Sequence, residues 1–448
     1  MELSSGSEII RQETDYSINA ADDDNGASLL ADKILATEPP PHISTRCFIY
    51  RVPDNLRKGN EDKYEPSIVS IGPYHRNKKD LKITEKHKIW YLRNLISKSQ
   101  PSNTTSLIDI IKAIKKLEVK ARECYAEEID LSSDDFVMMM VVDGCFIIEL
   151  LYREGLDRGI NKDPLVSAPW IVKKVEKDLI LLENQLPFIV LECLFRITRD
   201  RKRESSLNRL LGVFFAKIIP KTNLILVGGK LEGSHLLDFL RNSIIPPDFQ
   251  RECGPAILTN RRGAKELRQS GMIFKTQAWS ESKFECLVDV NGRDGILEFY
   301  PYDMESLYIL IPNLVALEQC FGPYEGYITS YAMLLGYFIT SEQDVKVLRR
   351  AGIFLGNQAE DEKFAAEIST LYERVHAVEF HYLGLIGQVE NYTQTFWRKR
   401  RPLLHQWYGI LMRDYFTSPW AIVSFIAAVI LLLLTAVQTI FAILSYHR

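Results

Sequence analysis

The sequence predicts a mainly α-helical fold with small β elements, arranged as one large helical domain followed by a single C-terminal transmembrane helix. Three observations support this: apolar residues recur at helical spacing through most of the 448-residue chain, runs typical of β-strands are few and short, and one long uncharged segment lies near the C-terminus. The chain is 46% hydrophobic and 25% charged, which is ordinary for a protein with a sizeable core. Its net charge of −3 gives no general attraction to nucleic acid, and no nucleic-acid partner is predicted.

The uncharged segment runs from Trp420 to Leu444 and has 25 residues without Asp, Glu, Lys or Arg. As a helix it would be about 37 Å long, which is enough to cross a hydrocarbon core of about 30 Å. Ser418 is a candidate N-cap and Pro419 suits the first turn. We therefore predict a transmembrane helix over 420–444 in preference to a buried core helix, with a short tail, 445–448. The side chains predicted to anchor it in lipid are Trp420, Phe425, Leu432, Leu433, Phe441 and Leu444.

The residues before this segment indicate its orientation. No apolar run follows a basic start at the N-terminus, so no signal peptide is predicted, and the segment is expected to insert as a C-terminal anchor. A basic amphipathic juxtamembrane segment is predicted over 398–419, and the positive-inside rule then favours a cytosolic body. Sequons at Asn103 and Asn391 offer a check, because only a lumenal or extracellular domain could be glycosylated there. The residues that carry the topology signal are Arg398, Lys399, Arg400, Arg401 and Arg413.

Ahead of the anchor, the chain divides into a polar tail and a folded body. Residues 1–42 are predicted to form a disordered acidic tail, because the first 38 residues contain nine acidic and two basic side chains and few large apolar ones. A mostly helical domain is predicted over 43–397. Its first elements are expected to be two short extended segments, 47–53 and 67–71, with Gly72-Pro73 as the turn after the second.

Helical spacing of apolar residues dominates the rest of the body. Two strongly apolar runs, 136–151 and 178–195, are too short or too interrupted to cross a bilayer and are predicted as core helices or helix pairs, with Pro187 breaking or kinking the second. A small β element is predicted near 286–300, with strands on either side of a turn at Asn291-Gly292. Further amphipathic helices are predicted near 84–97, 107–124, 304–321, 329–340 and 361–377.

The motifs give no catalytic residue, cofactor site or metal site. The Gly228-Gly229 pair lacks the spacing and the Lys-Ser/Thr ending of a phosphate loop. His376 and His381 are five residues apart, on poorly matched helical faces. The seven cysteines are scattered, without the spacing of a metal knuckle or a redox pair. We therefore predict no cofactor and no metal ligands.

The polar residues that stand out are Asp143, Glu149 and Glu183, because each interrupts an apolar run. Two alternatives are open. Buried carboxylates have a raised proton affinity and could act as acid and base, which would require them to meet in one open, water-accessible cleft. Alternatively they cross-link buried segments through backbone amides and Arg or Asn partners, and this structural alternative is favoured.

These residues lie in motifs by which the chain resembles the plant domain-of-unknown-function 247 family, also called uncharacterised protein family 0481. The resemblance covers nearly the whole chain from about residue 43, and its ordered set of motifs is highly specific. The motifs are Arg51-Val52-Pro53, Tyr64-Glu65-Pro66, Val69-Ser70-Ile71-Gly72-Pro73-Tyr74-His75, Glu85-Lys86-His87-Lys88, Asp143-Gly144-Cys145-Phe146-Ile147-Ile148-Glu149-Leu150-Leu151, Leu181-Leu182-Glu183-Asn184-Gln185-Leu186-Pro187-Phe188, Asn313-Leu314, Glu318-Gln319, Asp344-Val345 and Gly352-Ile353.

The resemblance implies a plant membrane protein with a mostly helical body, and it brings no catalytic residues. Some relatives are implicated as pollen-side factors in grass self-incompatibility, which is one alternative function. The expectation from residues and resemblance together is a recognition or scaffolding protein that contacts the lipid bilayer and a protein partner, most simply at the plasma membrane. The competing hypothesis is a membrane-tethered hydrolase that uses the buried carboxylates.

Overall fold

The computed structural model describes residues 48–98, 107–155, 168–199, 206–216, 218, 233–245, 252–255, 260–277, 290–321, 325–375, 379–394 and 419–446. Within these residues the fold is mainly α with a few short strands, as predicted. The helices are α1 Asp54–Arg57, α2 Lys82–Lys98, α3 Leu107–Arg122, α4 Ser133–Gly155, α5 Pro169–Asp178, α6 Phe188–Thr198, α7 Leu207–Phe215, α8 Leu236–Ile244, α9 Ala264–Gln269, α10 Met304–Cys320, α11 Tyr327–Phe338, α12 Glu342–Arg350, α13 Asp361–Arg374, α14 Leu383–Gln394 and α15 Pro419–Tyr446. The strands are β1 Gly254–Pro255, β2 Ile273–Thr276, β3 Asn291–Arg293, β4 Ile296–Phe299, β5 Tyr302–Asp303, β6 Phe354–Leu355 and β7 Glu379–Phe380.

The predicted amphipathic helices are confirmed as α2, α3, α10, α11 and α13, with ends that differ from the predictions by a few residues. The predicted core run 136–151 is also helical, and it forms the single helix α4 rather than a pair. Asp143 and Gly144 do not interrupt α4, because neither residue removes a backbone N–H from the helix.

Helix α4 lies at the centre of the N-terminal half of the body. It packs against α2, α3, α6 and α7, and its side chains Met139, Phe146 and Ile147 are fully buried. A helix that is apolar around most of its circumference must be covered on all sides, which explains why four helices surround it. The C-terminal half is built in the same way around α10, which contacts α5, α8, α11 and α13.

The strands form one three-stranded sheet and two short pairs. In the sheet, β4 lies between β2, which is parallel to it, and β3, which is antiparallel. The predicted β element is therefore present, but its turn is at Asp294-Gly295, and Asn291-Gly292 lies in β3. The turn residues have φ values of 50° and 81°, which Asp and Gly tolerate as well as Asn and Gly do. Two turn dipeptides are available in this stretch, and in the observed register Leu297 and Phe299 are buried on one face of β4.

The prediction for 178–195 is correct only in its second half. Helix α5 ends at Asp178, the next helix begins after Pro187, and residues 179–187 between them form a buried loop. The side-chain amide of Gln185 donates to two carbonyls of this loop, those of Leu179 at 2.8 Å and Leu181 at 2.7 Å. Side-chain bonds of this kind replace helical hydrogen bonds and explain why an apolar run is not helical here.

The two predicted extended segments are not strands of a sheet. In the first, Ile49 forms an isolated parallel bridge with Tyr125. In the second, residues 67–71 have no strand partner among the described residues. Their backbone donors are bound by side chains instead, and this arrangement is the basis of the candidate site.

Candidate functional site

Residues 67–72, here called the bound segment, run from the exposed Ser67 into the interior, and all of their N–H groups except that of Ser70 donate to buried polar side chains. The carboxylate of Asp178, at the end of α5, accepts three of these donors: Ser67 N–H at 2.9 Å, Ile68 N–H at 2.7 Å and Val69 N–H at 2.8 Å. Buried backbone groups must find partners, and here one side chain supplies what a neighbouring strand would otherwise supply.

The loop 179–187 continues this binding. Asn184 Oδ1 accepts the Ile71 N–H at 2.7 Å, and its amide donates to the carbonyls of Val69 at 3.0 Å and Asp178 at 2.9 Å. Asn184 is fully buried, and it uses its acceptor and its donor to hold two chain segments together. The bound segment and the loop therefore form one hydrogen-bonded unit.

Asp143 joins this unit from α4. Its Oδ2 accepts the Gly72 N–H at 2.9 Å, and its Oδ1 accepts from Lys88 Nζ, on α2, at 2.7 Å. Lys88 Nζ also donates to the Ser70 carbonyl. Burial raises the pKa of Asp143 above its ordinary value, although Lys88 opposes this rise. Asp143 thus ties three elements together at the end of the bound segment.

Glu183, in the loop, binds residues on both sides of the bound segment: Val52 and Arg57 before it and His75 after it. Its Oε1 accepts the Val52 N–H at 2.7 Å, and its Oε2 accepts from Arg57 and lies 3.1 Å from His75 Nε2. Burial works to raise the pKa of Glu183, but the nearby His75 ring and the hydrogen bonds from Arg57 and Val52 outweigh it and lower the pKa to about 2. The carboxylate is therefore ionised and held at the centre of a polar cluster.

Glu149 belongs to a different cluster. It lies on α4 and accepts from Arg153, four residues later, at 2.8 Å. The Arg153 guanidinium also stacks over the rings of Trp90 and Tyr91, at 4.7 and 4.8 Å from their centroids. The structure thus places Asp143 against Gly72, at the end of the bound segment, and Glu183 against residues that lie outside the segment. Glu149 is paired with Arg153 and does not join them.

This geometry matches the structural alternative rather than a pair of catalytic carboxylates. Asp143 and Glu183 are each 1% exposed, and every carboxylate oxygen of the two has a backbone or cationic donor. Burial raises the pKa of Asp178 to about 6, but both of its oxygens are also occupied by N–H donors of the bound segment. We call the side chains of Lys88, Asp143, Asp178, Glu183 and Asn184, with the bound segment, the polar network.

Three of these residues carry a signal that was visible in the sequence but not assigned a role. Asn184 stands with Glu183 and Gln185 as the polar interruption of an apolar run. Lys88 lies in one of the family motifs, and Asp178 is the first residue of the apolar run 178–195. Polar residues inside apolar surroundings are the available signal, but their partners are far away in sequence. Within the described ranges, no group of three or more His, Cys, Asp or Glu side chains is placed to hold a metal ion.

The second feature of interest is α15. It contains one apolar window, residues 423–440, that is long enough to cross a membrane, and none of this window is buried against the rest of the protein. The side chains of Phe425, Leu432 and Leu433 are 52%, 71% and 62% exposed. Trp420, Phe441 and Leu444 lie on the same helix, but their side chains are outside the described part.

The residues predicted to set topology are not placed by the structure. All of them, Arg398, Lys399, Arg400, Arg401 and Arg413, lie outside the described residues, as do the sequon at Asn103 and the tail 1–42. The second sequon lies on α14, where Asn391 is exposed and the hydroxyl of Thr393 is buried and donates to the Glu390 carbonyl at 2.9 Å.

Comparison with known proteins identifies relatives but no established activity. The UPF0481 protein At3g47200 of Arabidopsis thaliana is 29% identical over 436 residues, covering 89% of this chain and 87% of the relative. The putative UPF0481 protein At3g02645 of the same plant is 23% identical over 485 residues, covering 87% and 89%. No solved structure matches the chain. The family DUF247, described as plant protein of unknown function, matches residues 49–434, a span that includes the polar network and most of α15, and the chain belongs to this family.

Proposed function

We propose that this protein is a single-pass membrane protein whose helical body is held at the cytosolic face of the plasma membrane, where it acts as a recognition or scaffolding platform for a protein partner. The observation that carries the proposal is the apolar, uncovered surface of α15. In water, eighteen consecutive exposed positions of this kind would be strongly unfavourable, and a lipid environment removes that cost.

The state of the carboxylates supports a binding function over hydrolysis. A general acid or base must reach a substrate, and the carboxyl groups of Asp143, Asp178 and Glu183 are covered and bound to the chain itself. Their role is to hold the bound segment and the loop 179–187 in place. The outer surface of the body is then the part available for function. We propose that this surface binds the protein partner.

The anchor is tested by deleting residues 419–448 and comparing the two chains in plant cells by fractionation and alkaline carbonate extraction. We expect the full chain in the carbonate-resistant membrane fraction and the shortened chain in the supernatant. A matched control replaces 420–444 with an unrelated apolar helix of equal length, which should restore membrane retention. Equal partitioning of the full and shortened chains would contradict the proposal.

Orientation and partner are tested with a biotin ligase fused to the N-terminus. A cytosolic body should label cytosolic and inner-leaflet proteins, and a reproducible partner should be lost when α15 is deleted. Enzymatic deglycosylation of the native protein provides the control, because a mass shift arising from Asn103 or Asn391 would place the body on the other side of the membrane.

The hydrolase hypothesis is separated by the variants Asp143→Asn and Glu183→Gln. If the carboxylates are catalytic, a turnover would be lost while the thermal unfolding midpoint stays close to that of the unmodified chain. If they hold the polar network, as we propose, the unfolding midpoint falls in both variants.

A further inference from the structure

The outward face of α2 combines basic and apolar side chains in a narrow stripe. Among the side chains of α2 that the structure describes, the exposed ones are Lys82, Lys86, Ile89, Trp90 and Arg93, with Ser97 near the end of the helix. At about 100° per residue, these positions fall within an arc of roughly 100° on one side of the helix. The opposite side of α2 packs against α4. We call the first five of these residues the α2 stripe.

The apolar members of the stripe are a tryptophan and an isoleucine, 38% and 43% exposed at Trp90 and Ile89. Arg153 lies over the Trp90 ring at 4.7 Å and so fixes the orientation of the indole while leaving part of it open to solvent. Tryptophan has an apolar body and a polar N–H, which suits the boundary between lipid headgroups and acyl chains.

The charge of the stripe is of one sign. Lys82, Lys86 and Arg93 make no ion pair with any carboxylate of the described residues, and the preceding turn exposes one residue of each charge, Lys79 and Asp80. The acidic residue of α2 nearest to them, Glu85, is bound to the buried Lys88 at 2.5 Å. Within the part of the chain that the structure describes, the stripe therefore presents three exposed cations without a carboxylate partner.

Helix α3 shows that the combination is not general on this surface. It also exposes large apolar side chains, Ile108 and Val119 among them. However, its Lys115 is paired with Asp134 at 3.0 Å, and Asp109 lies in its first turn. Its Lys112, Lys116 and Lys120 are also exposed, but the exposed Asp109 lies on the same side of α3 as Lys116 and Lys120, and α3 contains no aromatic side chain that could enter the interface.

We propose that the α2 stripe rests on the anionic headgroups of the membrane in which α15 is anchored, with Trp90 and Ile89 entering the interface. The inference rests on the proposed membrane anchoring. Basic side chains are drawn to anionic lipid within a Debye length, and apolar neighbours add burial at the headgroup boundary. The 24 residues 395–418 can span at most about 80 Å, so the anchor keeps the body close enough for a weak contact to form.

The contact can be tested with the full chain reconstituted in nanodiscs of phosphatidylcholine alone or with 30% phosphatidylserine. Lysine acetylation is followed by mass spectrometry at Lys82 and Lys86, with the exposed Lys116 and Lys265 as internal controls. We expect acetylation of the two stripe lysines to slow at least threefold in the phosphatidylserine discs, and acetylation of the control lysines to be the same in both. Equal rates at the stripe lysines in the two discs would overturn the proposal.

A second measurement distinguishes a loss of membrane contact caused by neutralising the stripe from a loss caused by misfolding of the variant. Quenching of Trp90 by brominated phosphatidylcholine is obtained as the difference between the unmodified chain and Trp90→Phe. Neutralising the stripe with Lys82→Gln, Lys86→Gln and Arg93→Gln should abolish this difference in the phosphatidylserine discs. The matched control neutralises three exposed lysines of α3, Lys112→Gln, Lys116→Gln and Lys120→Gln, and should leave the difference unchanged. Loss of quenching in both triple variants would contradict a specific role of the stripe.

Two other outcomes would also overturn the inference, and they can be told apart. If the chain fails to insert into either disc, the proposed anchoring is wrong and the inference falls with it, before any lysine is measured. If the stripe lysines are protected only when a plant membrane protein fraction is added, and independently of phosphatidylserine, the face binds a protein and not lipid.

Discussion

In the polar network, carboxylate and amide side chains lie buried in the body, whereas in α15 the apolar side chains of residues 423–440 are exposed. The two regions depart from the ordinary distribution of polar and apolar groups in opposite directions. In the network each departure is compensated within the chain, because Asp178, Asn184 and Glu183 bind donors of the chain itself. In α15 no described residue covers the apolar side chains of 423–440, and we propose that lipid covers them. The comparison therefore separates a region that stabilises the fold, the polar network, from a region that we propose determines the location of the protein, α15.

The strongest test of the contrast places charge in the middle of α15. Replacing both Leu432 and Leu433 with Arg should disfavour insertion by about 5–7 kcal/mol, because each central arginine costs about 2.5–3.5 kcal/mol. The double variant should move from the carbonate-resistant to the soluble fraction, with the thermal unfolding midpoint of the body unchanged. The control, Leu432→Ala with Leu433→Ala, adds no charge and should stay in the membrane fraction. Membrane retention of the arginine variant would show that α15 does not span a bilayer.

Within the body, the largest expected effect is that of Glu183→Ala. This change leaves Arg57 and the Val52 N–H without their buried acceptor, and should lower the free energy of unfolding by about 4 kcal/mol. The control is Glu127→Ala, which removes the half-exposed partner of Arg51 and should cost less than about 1 kcal/mol. Urea denaturation of the full chain in detergent measures both. Similar losses in the two variants would mean that the network does not stabilise the fold.

A smaller effect is expected where the bound segment meets the loop. Gly72 has φ of +72°, and an added Cβ would lie 2.6 Å from the backbone oxygen of Gln185, so Gly72→Ala combines strain with a clash. We expect it to lower the free energy of unfolding by about 3 kcal/mol. Gly59 has φ of +79° with open space around it, so Gly59→Ala introduces backbone strain without a clash. We expect this variant to lower the free energy of unfolding by about 1 kcal/mol. The difference in urea midpoint between the two variants reports the close approach, and equal midpoints would exclude it.

The smallest effect is a pH dependence with a defined sign. Because the pKa of Glu183 is lowered to about 2, its ionised carboxylate stabilises the folded state at any pH above the ordinary carboxyl pKa of 4.5. This stabilisation is lost as the pH falls towards 2. Between pH 6 and pH 3 the free energy of unfolding of the unmodified chain should therefore fall by about 2 kcal/mol from Glu183 alone, and the variant Glu183→Gln should not show this fall. Asp178 acts in the opposite sense, since its raised pKa of about 6 means that its contribution is lost as the pH rises through 6. Asp178 is present in both chains, so the difference between their urea midpoints at pH 6 and pH 3 isolates Glu183. A difference independent of pH would contradict the assignment.

The polar network shows which features of the candidate site could be predicted from the sequence and which could not. Asp143 and Glu183 stood out because they interrupt apolar runs, but their partners could not be inferred from local pattern. Val52 and Glu183 are 131 residues apart, and Ile71 and Asn184 are 113 apart. Periodicity describes neighbours along the chain, and it carries no information about which distant donor a buried acceptor will meet.

The same reason explains the corrections. Residues 67–71 have the composition of a strand, yet their N–H groups are bound by Asp178 and Asn184, so no sheet forms around them. The turn in the β element moved to Asp294-Gly295 because packing of Leu297 and Phe299 selected one of two competent dipeptides. In each case the local sequence was compatible with the predicted structure, but contacts with distant parts of the chain favoured a different one.

The sequence by itself determined the mainly helical class, the positions of α2, α4, α10 and α13, and the apolar helix at the C-terminus. These follow from the spacing of apolar residues and the absence of charge, which act over a few turns of one helix. Only the tertiary structure decided that the buried carboxylates bind backbone N–H groups, and that basic and apolar residues of α2 share one exposed face. Those outcomes depend on which surfaces remain after the helices pack, because a side chain's environment is set by segments that are distant in the sequence and close in space.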